Sequence, residues 1–210
     1  MLDSTLIVFI VTSLVLIASP GQDMVLVISR SIGINTRAGI VTAAGVATGL
    51  LGHTVLVAMG LGALLQTSEL AFSIMKYVGA AYLLYIGYKT LKAPPIEIDE
   101  DPGAQGTLKS CFIAGALSNV TNPKIAIFFF AYLPQFVSAD NANPTMTLLA
   151  LGSTFAMLSF LVKTPVGYVA GRLSGWFKAN KNAQRWLNRI CGGALALLAV
   201  RLATAATPGQ

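Results

Sequence analysis

Long apolar runs separated by short polar stretches dominate the chain. They fall at about Thr5–Ile28, Ala38–Leu65, Leu70–Leu91, Thr107–Phe136, Thr145–Gly171 and Arg185–Ala205. The runs are continuous rather than alternating, which predicts helices and speaks against the period-two pattern of a membrane β-barrel. A helix needs roughly 20 apolar residues to cross a bilayer. Six membrane spans are therefore expected, the longer ones tilted or broken. No Lys or Arg precedes the first run, only Asp3, and no A-x-A site closes it. It reads as a retained first helix rather than a signal peptide.

Composition narrows the class. The chain has 210 residues, of which 55% are hydrophobic and only 10% charged. Soluble domains carry about 25% charged residues. So few charges exclude a soluble enzyme, a disordered chain and a fibrous protein, and leave an integral membrane protein. The net charge of +6 comes without a basic run interleaved with aromatics, so nucleic acid is not an expected partner. Cys111 and Cys191 form no CxxC and have no His nearby. Neither a disulfide framework nor a zinc site is expected.

The positive charges set a topology. Arg30 and Arg37 follow the first run. Lys89, Lys92 and Lys109 surround the third loop, and Arg172, Lys178, Lys181, Arg185 and Arg189 the fifth. The second loop, Gln66–Glu69, and the fourth, near Ser138–Pro144, hold no Lys or Arg. Cytoplasmic loops gather positive charge, so the odd loops are expected inside and both termini outside. The third loop also holds Glu97, Asp99, Glu100 and Asp101 after Pro94-Pro95. It reads as a solvated linker over 93–106, between a first unit of 1–92 and a second of 107–210.

Three spans on each side of that linker must face opposite ways. Lys76-Tyr-Val-Gly79-Ala-Ala in the third run and Arg189-Ile-Cys-Gly192-Gly-Ala in the sixth share their spacing. Pro20 interrupts the first run and Pro123 the fourth. The expected fold class is thus an all-α integral membrane protein, with six transmembrane helices in two inverted three-helix repeats whose first and fourth helices are broken. Interrupted helices in corresponding positions point to a transport site.

The chemistry gathers at those breaks. In Ser19-Pro20-Gly21-Gln22-Asp23, Ser19 suits a helix N-cap, Pro20 the first helical position, and Gln22 a capping box. In Asn122-Pro123-Lys124, Asn122 and Pro123 repeat the logic. Two restarted helices would aim their positive ends at the middle of the protein, where an anion such as a carboxylate binds well. Asp23 and Lys124 would lie at membrane depth, where an unpaired charge costs at least about 2.5–3.5 kcal/mol. Either they pair with each other, or they hold the two ends of a zwitterion. Asp23 is also the expected proton-coupling group. Lys163-Thr164-Pro165 is a third expected break, where Lys163 either lines the cavity or snorkels to an interface, and Thr164 is a candidate to satisfy backbone freed at Pro165. The expected substrate-binding set is Ser19, Gly21, Asp23, Asn122, Lys124 and Lys163. His53, the only histidine, reads as packing before proton relay. Tyr82, Tyr85 and Tyr88 share one helix face, and Trp176 and Trp186 read as interfacial anchors.

These strings resemble the lysine exporter (LysE/RhtB) family of amino-acid exporters. Ser19 to Met24 resembles its S-P-G-P-D/N signature, with Gln22 where the family usually has proline. Arg37-Ala38-Gly39-Ile40 with Gly45 and Gly49, Gly79-Ala80-Ala81-Tyr82-Leu83 with Gly87, Asn119 to Lys124, and Leu133-Pro134-Gln135-Phe136 are similar to its other motifs. The resemblance covers nearly the whole chain. It implies a proton-driven antiporter of amino acids in a bacterial inner membrane, with the lipid bilayer, protons and a small amino acid as partners and no cofactor. It is closer to the homoserine/threonine branch, which implies neutral substrates such as threonine, homoserine or leucine. A homodimer is compatible with it, though none of these residues builds one. A membrane thiol-disulfide relay through Cys111 and Cys191, or a divalent-metal exporter, are the alternatives.

Overall fold

The computed structural model describes residues 2–19, 21–64, 69–93, 106–137, 141–172 and 181–204. Pro20, the acidic stretch Glu97–Asp101 with Pro94-Pro95, Trp176 and Lys178 lie outside them. Among the described residues there are eight α-helices and no strand. They are α1 (Leu2–Ala18), α2 (Gln22–Gly33), α3 (Thr36–Leu64), α4 (Glu69–Leu91), α5 (Leu108–Val120), α6 (Pro123–Ala131), α7 (Pro144–Arg172) and α8 (Lys181–Thr204). A short 3₁₀ turn, Leu133–Phe136, follows α6. Each apolar run of the sequence is therefore helical. The first run is α1 plus α2, and the fourth is α5 plus α6.

Helices α3 and α7, at 29 residues each, are longer than a bilayer core requires. Thr36–Gly60 and Pro144–Ala170 are long and apolar enough to cross a membrane. Leu6–Ala18 and Gln22–Gly33, bent by 54°, are together apolar enough for a third, as a broken span or a re-entrant loop. Many large apolar side chains face outward, among them Leu56 and Met59 on α3, Val78 and Leu84 on α4, and Leu197 on α8. A water-soluble fold would cover such side chains.

Helix α3 packs along α7 and α5, α4 packs along α8, and α2 lies against α3 and α7. Two of these contacts are backbone to backbone. Gly45 and Gly115 face each other across α3 and α5, and a Cβ on either would strike the backbone at Phe112 O or Thr42 O. Gly87 of α4 and Gly192 of α8 do the same, with added Cβ atoms 2.9 and 2.7 Å from the opposing carbonyls. Small residues at helix crossings give the close approach that drives helix association in an apolar medium. The main core lies between these layers, around Phe9, Leu50, Phe128, Phe129, Leu148, Phe155 and Leu195. Phe155 meets Phe128 at 5.0 Å and Phe129 edge-on at 5.4 Å between ring centroids.

One expected break is absent. Helix α7 continues without interruption through Pro165. The proline offers no N–H to the carbonyl four residues back, yet the helix continues past it, packed against α2 and α3. Ser31 Oγ of α2 donates to Gly167 O two residues further on, and α3 packs along its length. Thr164 does not repair the backbone as anticipated. Its Oγ1 is buried with no hydrogen-bond partner among the described residues.

Overpacking at a glycine crossing costs about 1–3 kcal/mol. Gly115→Ala should therefore lower the thermal stability of the purified protein in detergent. A Cβ on Gly52 meets nothing within 4 Å, so Gly52→Ala should leave stability unchanged or raise it by about 0.5–1 kcal/mol.

Candidate functional site

Both breaks end at one small cavity. Leu16, Ile17, Ser19, Gly21, Asp23, Met24, Asn122, Lys124, Ile125, Phe155 and Lys163 line it. All six residues expected from sequence to contact substrate are on that wall. The N-caps of α2 and α6 are Gly21 and Asn122, so two positive helix ends border the same space.

The restart of α6 follows the sequence logic. Asn122 Oδ1 accepts from Lys124 N at 3.1 Å, and Pro123 takes the first helical position. The restart of α2 does not. Its N-cap is Gly21, with no side-chain cap. Ser19 instead closes α1, its N–H bonded to Val15 O at 2.9 Å. The Ser19 hydroxyl, only 2% exposed, has no partner among the described residues.

The charged residues at the breaks are held crosswise. Asp23 is the second residue of α2, and it reaches the end of α5. Its Oδ2 accepts from Asn119 Nδ2 at 2.7 Å and its Oδ1 from Ser118 Oγ at 3.1 Å. Lys124 is the second residue of α6, and it reaches the end of α1. Its Nζ donates to Leu16 O at 3.3 Å and Ser19 O at 3.4 Å. Position 20 is proline, which has no N–H to offer Leu16 O. Lys124 meets that unpaired carbonyl at the negative end of α1.

Lys163, 4% exposed, lines the cavity rather than snorkelling to an interface. It donates to Ser159 Oγ, one turn back on α7, at 2.7 Å. Asp23 lies close enough to both lysines to interact electrostatically, but among the described residues no salt bridge joins it to either. Of the two alternatives left open by the sequence, direct pairing of Asp23 with Lys124 is not seen among the described residues: Asp23 accepts from neutral donors and Lys124 donates to carbonyl oxygens. Lysine carries three donor hydrogens, and Lys163 keeps capacity for another acceptor.

The cavity volume is about 20 Å³. A buried water needs at least about 10–15 Å³. The space thus admits a water but not an amino acid, and binding requires the walls to part.

Ser118 and Ser159 escaped the sequence reading, and Asn119 entered it only as the start of a family motif, without a role. Single polar residues in an apolar helix look like ordinary packing, and only their distance to Asp23 or Lys163 reveals the role. His53 stands behind Asn119. Its Nε2 lies 3.2 Å from Asn119 O, so it donates there, while its ring packs 5.9 Å from Phe129. Tyr85 and Tyr88 face outward, beside Lys89 and Lys92. Cys111 and Cys191 are free and buried on different helices, and neither lines the cavity. Among the described residues no three His, Cys, Asp or Glu side chains gather as a metal site would require.

A helical bundle with two discontinuous helices ending at a buried charged cavity is built as a membrane translocator. The LysE type translocator profile matches residues 14–206, and the chain belongs to that family. It is a transporter rather than an enzyme. It is 34% identical to the homoserine/homoserine lactone efflux protein of Salmonella typhimurium, over 94% of this chain and 95% of that one. It is 30% identical to the uncharacterized membrane protein YrhP of Bacillus subtilis, over 90% and 93%. The leucine efflux protein of Enterobacter sp. is 26% identical, over 93% of each. No solved structure matches the chain.

A hydrogen bond to a charged group contributes about 1.5–3 kcal/mol. Asn119→Ala should destabilise the purified protein by that order, read by thermal unfolding in detergent. Once Asp23→Asn has removed the charge, the same change should cost clearly less. Equal costs in both backgrounds would mean that the Asp23–Asn119 bond contributes nothing.

Proposed function

We propose that this protein is a secondary active exporter of small neutral amino acids, of the threonine, homoserine or leucine kind, in a bacterial inner membrane. The observation that carries the reading is the shared cavity, where two helix N-termini, a carboxylate and two lysines meet. A zwitterion needs opposite charges at its two ends and a neutral, partly apolar wall between them. Asp23 addresses the ammonium, lysine and helix ends address the carboxylate, and Met24, Ile125 and Phe155 surround the side chain. The relatives support this substrate class, since their names include efflux of homoserine, its lactone and leucine.

Asp23 is the proposed proton carrier. Its two partners are neutral donors, so losing its charge strands no partnered cation. Transport proceeds by alternating access, because a one-water space must open to each side in turn. The two inverted units are 1–92 and 107–210, together crossing the bilayer six times, with both termini outside. The crosswise hold of Asp23 on α5 and of Lys124 on α1 supports that arrangement. The second residue after each break reaches the helix before the other, as paired inverted units would do.

Everted vesicles containing the protein should accumulate labelled threonine, homoserine or leucine when energised, and a protonophore should abolish the uptake. Asp23→Asn should reduce transport at least about tenfold with normal membrane insertion. Uptake indifferent to the protonophore would remove the coupling. Reporter fusions at the two termini should give periplasmic signals, and a cytoplasmic signal from either would reverse the topology.

A further inference from the structure

We propose that Lys163 and the Ser19 hydroxyl form the carboxylate-binding end of the cavity, and that Lys124 is a positioning residue that holds the end of α1. This rests on the reading of the cavity as an amino-acid site. The two lysines differ in what already occupies them. Lys124 lies between Leu16 O and Ser19 O, and serves a carbonyl that proline cannot. Drawing it onto a substrate would strip that helix end of its partner in apolar surroundings, a costly exchange. Lys163 gives one hydrogen bond to a neutral hydroxyl of its own helix, among the described residues. A carboxylate could join it without breaking another contact.

The Ser19 hydroxyl is the second, independent pointer. Ser19 lines the cavity and is 2% exposed, and its hydroxyl is buried and unpartnered among the described residues. A buried hydroxyl without a partner is costly, and a ligand acceptor would satisfy it. The N-caps Gly21 and Asn122 add positive partial charge at the same place. On the other side, Asp23 is fixed by Ser118 and Asn119 and leaves lone pairs for an ammonium. The ligand is thus an α-amino acid bound through both ends, with the carboxylate answered by α7 and the α1–α2 break.

The test compares matched substrates that keep the ammonium but differ in the carboxylate. Leucine would be set against leucinamide, and homoserine against its lactone, in everted vesicles. Lys163→Met should raise the KM for the carboxylate member of each pair by about 10–100-fold, and change the other member far less. Ser19→Ala should show the same selectivity at smaller size, and Lys163→Arg should keep the preference for the carboxylate. Lys124→Met should weaken both members alike. If Lys163→Met does not reach the membrane, the Ser19→Ala and Lys163→Arg variants carry the same comparison. Equal losses for both members in the Lys163 and Ser19 variants would overturn the assignment, and selectivity in Lys124→Met instead would exchange the lysines' roles. Wild-type vesicles that move neither pair would sink the exporter reading itself. Transport of both pairs without carboxylate selectivity in any variant would reject only the assignment.

Discussion

The Asp23 carboxylate, gripped by Asn119 at 2.7 Å and Ser118 at 3.1 Å, ties the first part of the chain to the second. It is a buried charge in a protein with few charges, and it sits where water is scarce. Such a group persists only if donors are delivered to it. Those donors come from the last turn of α5, so α5 must end beside the start of α2. That in turn requires α5 to lie tightly along α3, and the Gly45–Gly115 contact provides the close approach. The glycine crossings are therefore part of the site's construction, although none touches the cavity.

The same demand explains the second tie. A break in a helix exposes carbonyls that lipid cannot satisfy. At the end of α1 the deficit is answered by Lys124 from the opposite break. The α1–α2 break is thus completed by a charged residue from the other one, whereas the end of α5 is closed locally, by Thr121 on Leu117 O and by Asn122 N–H on Asn119 O. The cavity is the space left between the two breaks. Its apolar side is firm, because Phe155 is locked among Phe128 and Phe129.

Much of this was legible in the sequence, for identifiable reasons. Apolar run length located every helix, and Asn122-Pro123 announced the restart of α6 by familiar capping chemistry. The charged residues inside apolar runs, Asp23, Lys124 and Lys163, were conspicuous because such residues are rare there. What failed was local inference without neighbours. Ser19 has the composition of an N-cap, but the chain turns so that Gly21 takes that place. Pro165 has the appearance of a break, but α7 continues through it, packed against α2 and α3. Asn119 and Ser118 could not be assigned, because their meaning lies in a partner some 95 residues away.

The hold of Lys124 on Leu16 O has a consequence for how such a chain can vary. The lysine is needed there because position 20 carries no N–H. A residue with an N–H at 20 would offer Leu16 O a donor from its own segment, and the lysine would be left with Ser19 O and its place on the cavity wall. Loss of the lysine alone would leave the proline's deficit uncovered. The two positions, far apart in the chain, thus bear on one helix end. A change at 124 alone should therefore cost more than the same change made after one at 20, so the order of mutations matters as much as their identity.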